Sequence, residues 1–400
     1  MSLPTPRSGP SFHFRIAKGS TKLVLYFSGT GMRDGKFSYW KVSSAFGTHA
    51  LFINNGRNHW YQGGVPGLGE SVDQTVFNIR LWARKLGVKE FYTVGQSMGA
   101  HGAILYGAKL GARVLAFGAE TTMHLEGSRS TRLWQDNAPI VYPDLHDVIA
   151  NARRPIFCFA GERDPVDLYC MSKANGLPNY YPRSMIGVGH GMASYLHNRD
   201  KFIPMVQRFI DNHVPQHTRA FGAALDHPGF ADAFYDQYCH MNAGRFAEAA
   251  EAGRLATSLY AGADHAFYVT ASALMRLGQP AEAHPYIERA LAISPKLPEY
   301  RLLMARCLAR AGKRDRAISA YRELVAFQPD YARSHYELAA QLFARGDYHE
   351  AREAVSRALQ LSPEVAKFVD LRDKVDKRLA VRSVPHRVYR SLVDAIKRRA

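Results

Sequence analysis

A period of 34 residues runs through the second half of this chain and constrains its fold more than any other feature. Glycine recurs at this interval, at Gly244, Gly278, Gly312 and Gly346, and so does alanine, at Ala249, Ala283, Ala317 and Ala351. Proline keeps the same spacing after successive apolar helical runs, at Pro295, Pro329 and Pro363. A fixed period of this length indicates stacked copies of one helical hairpin, because no single copy can bury its apolar face alone.

The pattern resembles the tetratricopeptide repeat, a helix pair with glycine at the turn, alanine where the helices touch and proline after the second helix. The resemblance implies repeats at residues 230–263, 264–297, 298–331 and 332–365. The first repeat is degenerate, because Ala261 stands where proline is expected. Such arrays form a concave groove that usually binds a peptide or protein, so we expect a protein partner there, with a purely structural or dimerising role as the alternative.

Before the repeats, strand-like and helix-like segments alternate, which predicts a mostly parallel sheet with helices on both faces. A helix is predicted from Ser71, as its cap, to Leu86, and another over residues 193–210. The predicted strands are Phe12–Ile16, Lys22–Phe27, His49–Asn54, Phe91–Val94, Arg113–Phe117, Ile156–Ala160 and Ser184–Val188.

These patterns divide the chain. We expect a disordered N-terminus at residues 1–10, an α/β domain at 11–214, a linker at 215–229, the repeats at 230–365, and a capping helix with a basic amphipathic tail at 366–400. In that tail Val388, Leu392, Val393 and Ile396 share one helical stripe among basic residues, which could contact an anionic surface.

The segment Gly95-Gln96-Ser97-Met98-Gly99 joins a predicted strand to a predicted helix. A serine at so sharp a turn holds its hydroxyl above the sheet in a strained backbone conformation, and the two glycines leave room for the turn. This pattern resembles the nucleophile elbow of the α/β-hydrolase superfamily. The resemblance implies a Ser-Asp-His order along the chain and serine chemistry.

The later strands supply partners in that order. Asp164 and His190 each follow the end of a predicted strand. A serine hydroxyl needs a histidine to take its proton, and a carboxylate to orient the imidazole and stabilise its charged form. We therefore assign Ser97 as nucleophile, His190 as general base and then acid, and Asp164 as orienting acid. Asp167 is an alternative acid, and His101 and His197 are alternative bases.

The same resemblance implies an oxyanion hole formed by the backbone N–H of Met98 and a second N–H from the loop after an early strand. Ser28-Gly29-Thr30-Gly31 is that loop, and either Gly29 or Thr30 supplies the second donor. The segment 121–147 lies where many α/β-hydrolases insert a cap.

The loop after the third strand, together with the elbow, gives the substrate-binding candidates Asn55, Arg57, Trp60, Tyr61 and Gln96. Loops at the carboxyl ends of parallel strands line the site, and aromatic faces beside amide and basic groups suit a sugar. The combination resembles hydrolase-fold proteins of bacterial surface-glycan assembly, which implies acyl transfer to a sugar as an alternative to hydrolysis. A polar surface loop with locally packed aromatics is the other interpretation.

Composition narrows the remaining functions. The net charge is +17, most of it before residue 220, but no nucleic-acid-binding motif accompanies it, so nucleic acid is not the expected partner. The cysteines, Cys158, Cys170, Cys239 and Cys307, show neither pairing nor metal spacing. With no secretory signal visible, we expect a cytoplasmic protein without metal or cofactor.

Three hypotheses follow from the sequence. The first is a serine esterase or acyltransferase acting on an O-acylated substrate, such as a glycan, with the repeats docking a partner. The second is a non-catalytic scaffold with a vestigial hydrolase fold. The third is a basic adaptor that joins acidic partners through the repeat groove and the tail.

Overall fold

The computed structural model of the protein describes residues 8–55, 57–134, 138–215 and 221–383. Most of the expected disordered N-terminus and the whole amphipathic stripe of the basic tail lie outside the described residues. The chain divides into two units, Met1–Ala266 and Phe267–Ala400.

A mostly parallel sheet forms the centre of the first unit. The described strands are β1 (Phe12–Arg15), β2 (Lys22–Phe27), β3 (His49–Ile53), β4 (Glu90–Gln96), β5 (Arg113–Phe117), β6 (Ile156–Gly161) and β7 (Tyr180–Met185). Their order across the sheet is β1-β3-β2-β4-β5-β6-β7, and β1 pairs antiparallel with β3 while the other pairs are parallel. The α/β architecture expected from the alternating pattern is confirmed.

The predicted last strand, Ser184–Val188, is placed three to four residues too late, because the observed strand is Tyr180–Met185 and its pairing ends at Met185. The strand begins earlier and includes Pro182, which stands opposite Cys158 of β6. Proline is tolerated because β7 is the edge strand, where an N–H on the outer side needs no partner. The chain then turns at Gly187, whose φ is +73°.

Helices cover both faces of the sheet. Those before residue 215 are α1 (Val72–Lys85), α2 (Met98–Leu110), α3 (Arg129–Leu133), α4 (His146–Ala150), α5 (Pro165–Lys173), α6 (Met192–His197) and α7 (Phe202–Ile210). The Ser71 hydroxyl caps α1 by accepting from the N–H of Gln74, as predicted. The single helix predicted over 193–210 is instead two, α6 and α7.

Alternate residues of the strands enter two separate apolar cores. Leu23, Leu25 and Phe27 of β2 pack in the core that contains α1 and α2, whereas Val24 and Tyr26 pack in the core that contains α6 and α7. This alternation is the pattern of a parallel sheet buried on both faces.

Helix pairs follow the sheet. They are α8 (Phe230–Asn242), α9 (Phe246–Leu259), α10 (Asp264–Arg276), α11 (Pro280–Ile293), α12 (Pro298–Arg310), α13 (Arg314–Phe327), α14 (Ala332–Arg345) and α15 (Tyr348–Leu361), and then a further helix, α16 (Ala366–Ser383). Helices α8 and α9 belong to the first unit, and α10 runs across the boundary into the second. None of the described helices is both long and apolar enough to span a bilayer.

The periodic residues have the structural roles that the repeat pattern predicts. Gly312 and Gly346 end helices with φ values of +75° and +97°, a conformation that favours glycine. Ala317 and Ala351 are fully buried in the core of the second unit. A larger side chain at these alanines would separate the packed helices.

We predict that Ala317→Leu destabilises the second unit by about 1–3 kcal/mol, because the added atoms overfill a packed core. Ala326→Leu, on the exposed face of the same helix, is the matched control and should change stability little. Urea unfolding followed by far-UV circular dichroism measures both. Equal midpoints for the two variants would contradict close helix packing at Ala317.

Candidate active site

Ser97 lies at the turn between β4 and α2 and has φ 60° and ψ −129°. A non-glycine residue in this region of backbone space is strained, and such residues concentrate at functional sites. Ser97 stands at the N-cap of α2, but its hydroxyl makes no capping hydrogen bond. The predicted elbow geometry is present.

Both flanking glycines are required by close backbone packing. A Cβ at Gly95 would lie 2.0 Å from the carbonyl oxygen of Gly99, and one at Gly99 would lie 2.3 Å from that of Phe27. Only glycine permits this approach, and it brings the elbow against the end of β2. The turn is therefore fixed on two sides by main-chain atoms.

The elbow stands where the strand order reverses. The chain proceeds from β2 to β3 on one side, and then crosses to β4 on the other side of β2. Ligands of open α/β sheets bind at the carboxyl ends of the strands beside this reversal. Gly29 after β2 and Ser97 after β4 both lie there, and they line one cavity of 610 Å³.

His190 follows β7 and lines the same cavity as Ser97. Its Nδ1 lies 2.7 Å from Oδ2 of Asp167, a residue in the first turn of α5. The Nε2 atom is buried and has no hydrogen-bond partner among the described residues. A ring that donates from Nδ1 to a carboxylate keeps Nε2 as the acceptor, which is the tautomer that a general base needs.

The assignment of Asp164 as partner of the imidazole is wrong in this geometry, and the alternative, Asp167, takes that place. Asp164 is instead the N-cap of α5, where its Oδ1 accepts the N–H of Asp167 at 2.9 Å. Its Oδ2 forms an ion pair with Arg129. The cap fixes the first turn of α5, and this turn carries Asp167 to the histidine.

Neither alternative histidine occupies the corresponding position. His101 is buried within α2, with Nδ1 2.7 Å from the carbonyl oxygen of Glu120 and Nε2 2.9 Å from Gln62. Burial lowers the pKa of His101 to about 4, so it stays neutral as a core residue. His197 is exposed and lines a different cavity.

Gly118, directly after β5, makes room for the His–Asp pair. Its φ is +59°, and a Cβ there would lie 2.6 Å from Oδ2 of Asp167 and 2.9 Å from Nδ1 of His190. No side chain fits at this position without displacing one of the two groups. Gly118 could not be recognised from the sequence, since a lone glycine at a strand end carries no distinctive signal.

Buried charges shift the titration of the pair. Burial and the neighbouring Asp164 carboxylate raise the pKa of Asp167 to about 6, against the opposing effect of His190 and Arg129. For His190, burial acts to lower the pKa, but the Asp167 carboxylate outweighs it and the pKa is raised. The pair therefore holds a proton more strongly than a free imidazole does.

Arg129 of α3 is the cation of this cluster, and no motif in the sequence marks it. Its guanidinium pairs with Asp164 and lies 3.3 Å from Asp167 Oδ1 and 3.7 Å from Glu120 Oε1. Asp164, Asp167 and His190 could in principle present metal-ligand atoms, which lie within 4.8 Å of one another. The carboxylates already have a cationic partner in Arg129.

The expected oxyanion donors lie beside the serine. Met98 begins α2, so its N–H points out of the helix end, and no described residue accepts a hydrogen bond from it. Gly29 and Thr30 line the Ser97 cavity, and their N–H groups also have no acceptor among the described residues. Both remain candidates for the second donor.

Three of the predicted substrate-binding residues, Asn55, Trp60 and Tyr61, are buried. Trp60 and Tyr61 are fully buried, and the Tyr61 hydroxyl donates to the carbonyl oxygen of Ser28 at 2.7 Å. The prediction that their faces contact substrate is therefore wrong. Asn55 is also buried, and its Oδ1 accepts the N–H of Arg57 at 3.3 Å.

Gln96 lines the cavity of Ser97, and the substrate contact predicted for it stays a prediction. Its side-chain amide donates to the carbonyl oxygen of His190 at 3.3 Å and accepts the N–H of Ala193 at 2.9 Å. These two bonds tie the His190 loop to the end of β4. Gln96 reaches the cavity wall, but both polar atoms of its side chain are engaged.

Two further cavities adjoin the one around Ser97. A cavity of 720 Å³ shares Tyr39, Ala193 and Ser194 with it and is lined by aromatic rings that include Phe37 and Trp40. A cavity of 530 Å³ shares Gly29 and Leu133 with it and is lined by polar and basic groups, Arg33, Asn54, Arg57, Asn58 and His59. Ser97 thus lies between an apolar and a basic chamber.

We predict that Gly118→Ala displaces Asp167 from His190, so that the pKa of His190 falls towards or below the ordinary value of about 6.5. Histidine NMR titration measures it. Gly111→Ala is the matched control, because Gly111 has φ +71° but no atom within 4 Å of an added Cβ, so it carries the strain without the clash. A raised pKa retained in Gly118→Ala would contradict the close packing of the pair.

Comparison with known proteins identifies part of the chain. Family models described as tetratricopeptide repeat match residues 240–298, 274–342 and 332–365. The TPR repeat-containing thioredoxin TTL4 of Arabidopsis thaliana is 37% identical over 79 residues, which cover 20% of this chain and 12% of that protein. The match therefore spans about an eighth of that relative.

Two solved structures are also similar. The crystal structure of MamA protein has 16% identity and a TM-score of 0.34, covering 38% of this chain and 88% of that one. YrrB, described as a TPR protein with an unusual peptide-binding site, has 18% identity and a TM-score of 0.35, covering 46% of this chain and 89% of that one. On the family models, residues 240–365 of the chain are tetratricopeptide repeats.

Proposed function

We propose that the first unit is a serine hydrolase of the α/β-hydrolase type, an esterase or deacylase. The observation that carries the proposal is the shared cavity of Ser97, at its strained elbow, and His190, whose Nδ1 lies 2.7 Å from Asp167. Ser97 follows β4, Asp167 follows β6 and His190 follows β7. This is the chain order Ser-Asp-His that the superfamily uses.

In the proposed reaction the Ser97 oxygen attacks the acyl carbon of an ester while Nε2 of His190 takes the hydroxyl proton. The N–H groups of Met98 and of Gly29 or Thr30 stabilise the negative oxygen of the tetrahedral intermediate. His190 then gives its proton to the leaving alcohol, and the acyl group stays on Ser97. Water attacks this acyl-enzyme, again with His190 as base, and releases the acid.

The adjoining cavities indicate what kind of ester fits. The aromatic chamber beside Ser194 suits an apolar acyl group, and the basic, amide-rich chamber beside Gly29 suits a polar or anionic alcohol. An O-acylated glycan is one such substrate. With Trp60 and Tyr61 buried, a sugar would be held mainly by polar contacts such as those of Asn58 and Arg33 rather than by stacking on these rings.

Acyl transfer is the second candidate, because the polar chamber could admit an acceptor hydroxyl as well as release one. A sugar hydroxyl would then replace water in the second step, with the same residues in the same roles. A role in surface-polysaccharide assembly would belong to this variant.

The repeats suggest a protein-interaction role, since arrays of this kind commonly bind peptide segments. A protein or peptide partner in their groove remains a proposal. A scaffold or adaptor without catalysis is the competing reading, and it predicts that Ser97 is unreactive.

The first test is chemical. A fluorophosphonate probe should label the full-length protein at Ser97, and p-nitrophenyl esters of graded chain length should be hydrolysed, with sugar acceptors added to detect transfer. Ser97→Ala should lose labelling and reduce turnover by up to about 10⁶-fold, because the nucleophile is gone. Ser194→Ala, in the same cavity but away from the elbow, is the control and should retain labelling at Ser97. An unlabelled wild-type protein without esterase activity would support the scaffold.

The second test separates the two aspartates. Asp167→Asn should lower kcat by about 10⁴-fold, because an amide cannot stabilise the imidazolium, whereas Asp164→Asn should lower it much less. The dependence of activity on pH is a further check. Activity needs neutral His190, so activity should fall as the pH drops through a midpoint above about 6.5. Removing the Asp167 charge should move that midpoint to lower pH. A larger loss in Asp164→Asn would restore the original assignment.

A further inference from the structure

Arg129 is anchored in the site from two directions. Its side chain pairs with Asp164 and lies 3.3 Å from Asp167 Oδ1. Its backbone N–H donates to Glu120 Oε1 at 2.8 Å, and the N–H of Ser130 donates to Oε2 of the same carboxylate at 2.9 Å. Glu120 is buried, so the start of α3 is fixed beneath the cavity.

The charge of Arg129 acts on the catalytic pair. The charged groups that act on Asp167 and His190 are Asp164 at the cap of α5 and Arg129 of α3, with Glu120 behind Arg129. Burial raises the pKa of Asp167, and Arg129 opposes that rise. Without the guanidinium, the Asp167–His190 pair would take up its proton at higher pH, which leaves less of the neutral imidazole that a general base needs.

Helix α8, the first of the helix pairs, holds the backbone just before Arg129. The Tyr235 hydroxyl donates to the carbonyl oxygen of Glu126 at 2.9 Å, and the Tyr238 hydroxyl donates to that of Gly127 at 2.8 Å. A Cβ at Gly127 would lie 2.7 Å from the Tyr238 ring, so the contact is close enough to require glycine.

The same helix packs on α5, which carries Asp167. The rings of Tyr235 and Tyr169 stack with centroids 4.4 Å apart, and Lys173 of α5 forms an ion pair with Asp232 of α8. Val166 and Cys170 of α5 are buried with Tyr235 in one apolar cluster. Helix α8 therefore contacts both the segment that presents Arg129 and the helix that presents Asp167.

Later repeats do not keep the two tyrosines. At intervals of 34 residues, Tyr235 is replaced by Val269, Leu303 and Glu337, and Tyr238 by Ser272, Arg306 and Ala340. The tyrosines are thus a feature of the first helix pair and not of the repeat pattern. Their hydrogen-bond partners lie in the α/β part of the first unit.

We propose that α8 is part of the catalytic apparatus, and that through Tyr235 and Tyr238 it sets the place of Arg129, a positioning residue for the Asp167–His190 pair. The inference rests on the proposed serine-hydrolase function. The first repeat then has two tasks, to start the helical array and to complete the site of the α/β domain. The two tyrosines serve the second task.

The test combines variants that keep size with a measurement that needs no turnover. In Ser97→Ala protein, the pKa of His190 is followed by NMR in Arg129→Lys and in the double variant Tyr235→Phe, Tyr238→Phe. Both should raise it, because a shorter lysine or a less firmly held Arg129 brings its positive charge less close to the pair and opposes protonation less. Tyr336→Phe, whose ring stacks on Phe368 in the second unit, is the matched control and should leave the pKa unchanged.

With Ser97 intact, the double variant should lower kcat about tenfold, as expected for weakening two hydrogen bonds, and shift the acid limb of the pH profile upwards. If kcat falls while the acid limb of the pH profile and the pKa of His190 stay unchanged, the positioning role is overturned. If Ser97 of the unaltered protein is not labelled, the proposed function is overturned, whereas a shifted pKa of His190 would still show that α8 acts on the Asp167–His190 pair. If thermal melting shows that the double variant is unfolded, the pKa of His190 is measured in Tyr238→Phe and in Arg129→Lys instead. If neither variant raises that pKa, the inference is overturned.

Discussion

The hydrogen bond between His190 and Asp167 is the interaction on which the arrangement of this site depends. Asp167 is buried, and an uncompensated carboxylate in such a place would be neutral and useless for orienting a cationic ring. Arg129 on one side and His190 on the other make its ionised form tolerable. The neighbouring Asp164 works against that balance, but it caps the helix that holds Asp167 and brings Arg129 into the cluster. The stability of this buried cluster and the chemistry proposed for it therefore depend on the same few charges.

A parallel sheet explains how residues so distant in sequence can meet. The strands β2, β4, β5, β6 and β7 all end at one edge, and each is followed by a short turn that carries one component of the site. The glycines Gly95, Gly99 and Gly118 allow these turns to approach one another to within backbone contact. A site built this way needs small residues as much as reactive ones, because a methyl group at any of the three would separate the components.

Much of this could be predicted from the sequence, and the failures have physical causes. Ser97 was recognisable because an elbow needs both a strand before it and glycines around it. The choice between Asp164 and Asp167 could not be made from the sequence, because both lie in one helical turn. Asp164 is used as the N-cap of α5, which leaves Asp167 to contact His190. Trp60 and Tyr61 looked like a binding surface, but positive φ values at both residues turn the loop inward. Arg129 lies in a segment without periodicity, where only tertiary contacts show its role.

The first helix pair shows how contacts with a different neighbour can make a repeat look degenerate. An internal repeat is shaped by neighbours that resemble it, whereas the first one meets a different surface on one side. Here that surface contains carbonyl groups at Glu126 and Gly127 that need donors, and tyrosines at α8 supply them. At the other end of the pair, the Tyr260 hydroxyl donates to the buried carboxylate of Glu162, directly after β6. Tyr235, Tyr238 and Tyr260, which the later repeats do not keep, thus satisfy polar groups of the α/β domain, so these positions mark a structural junction.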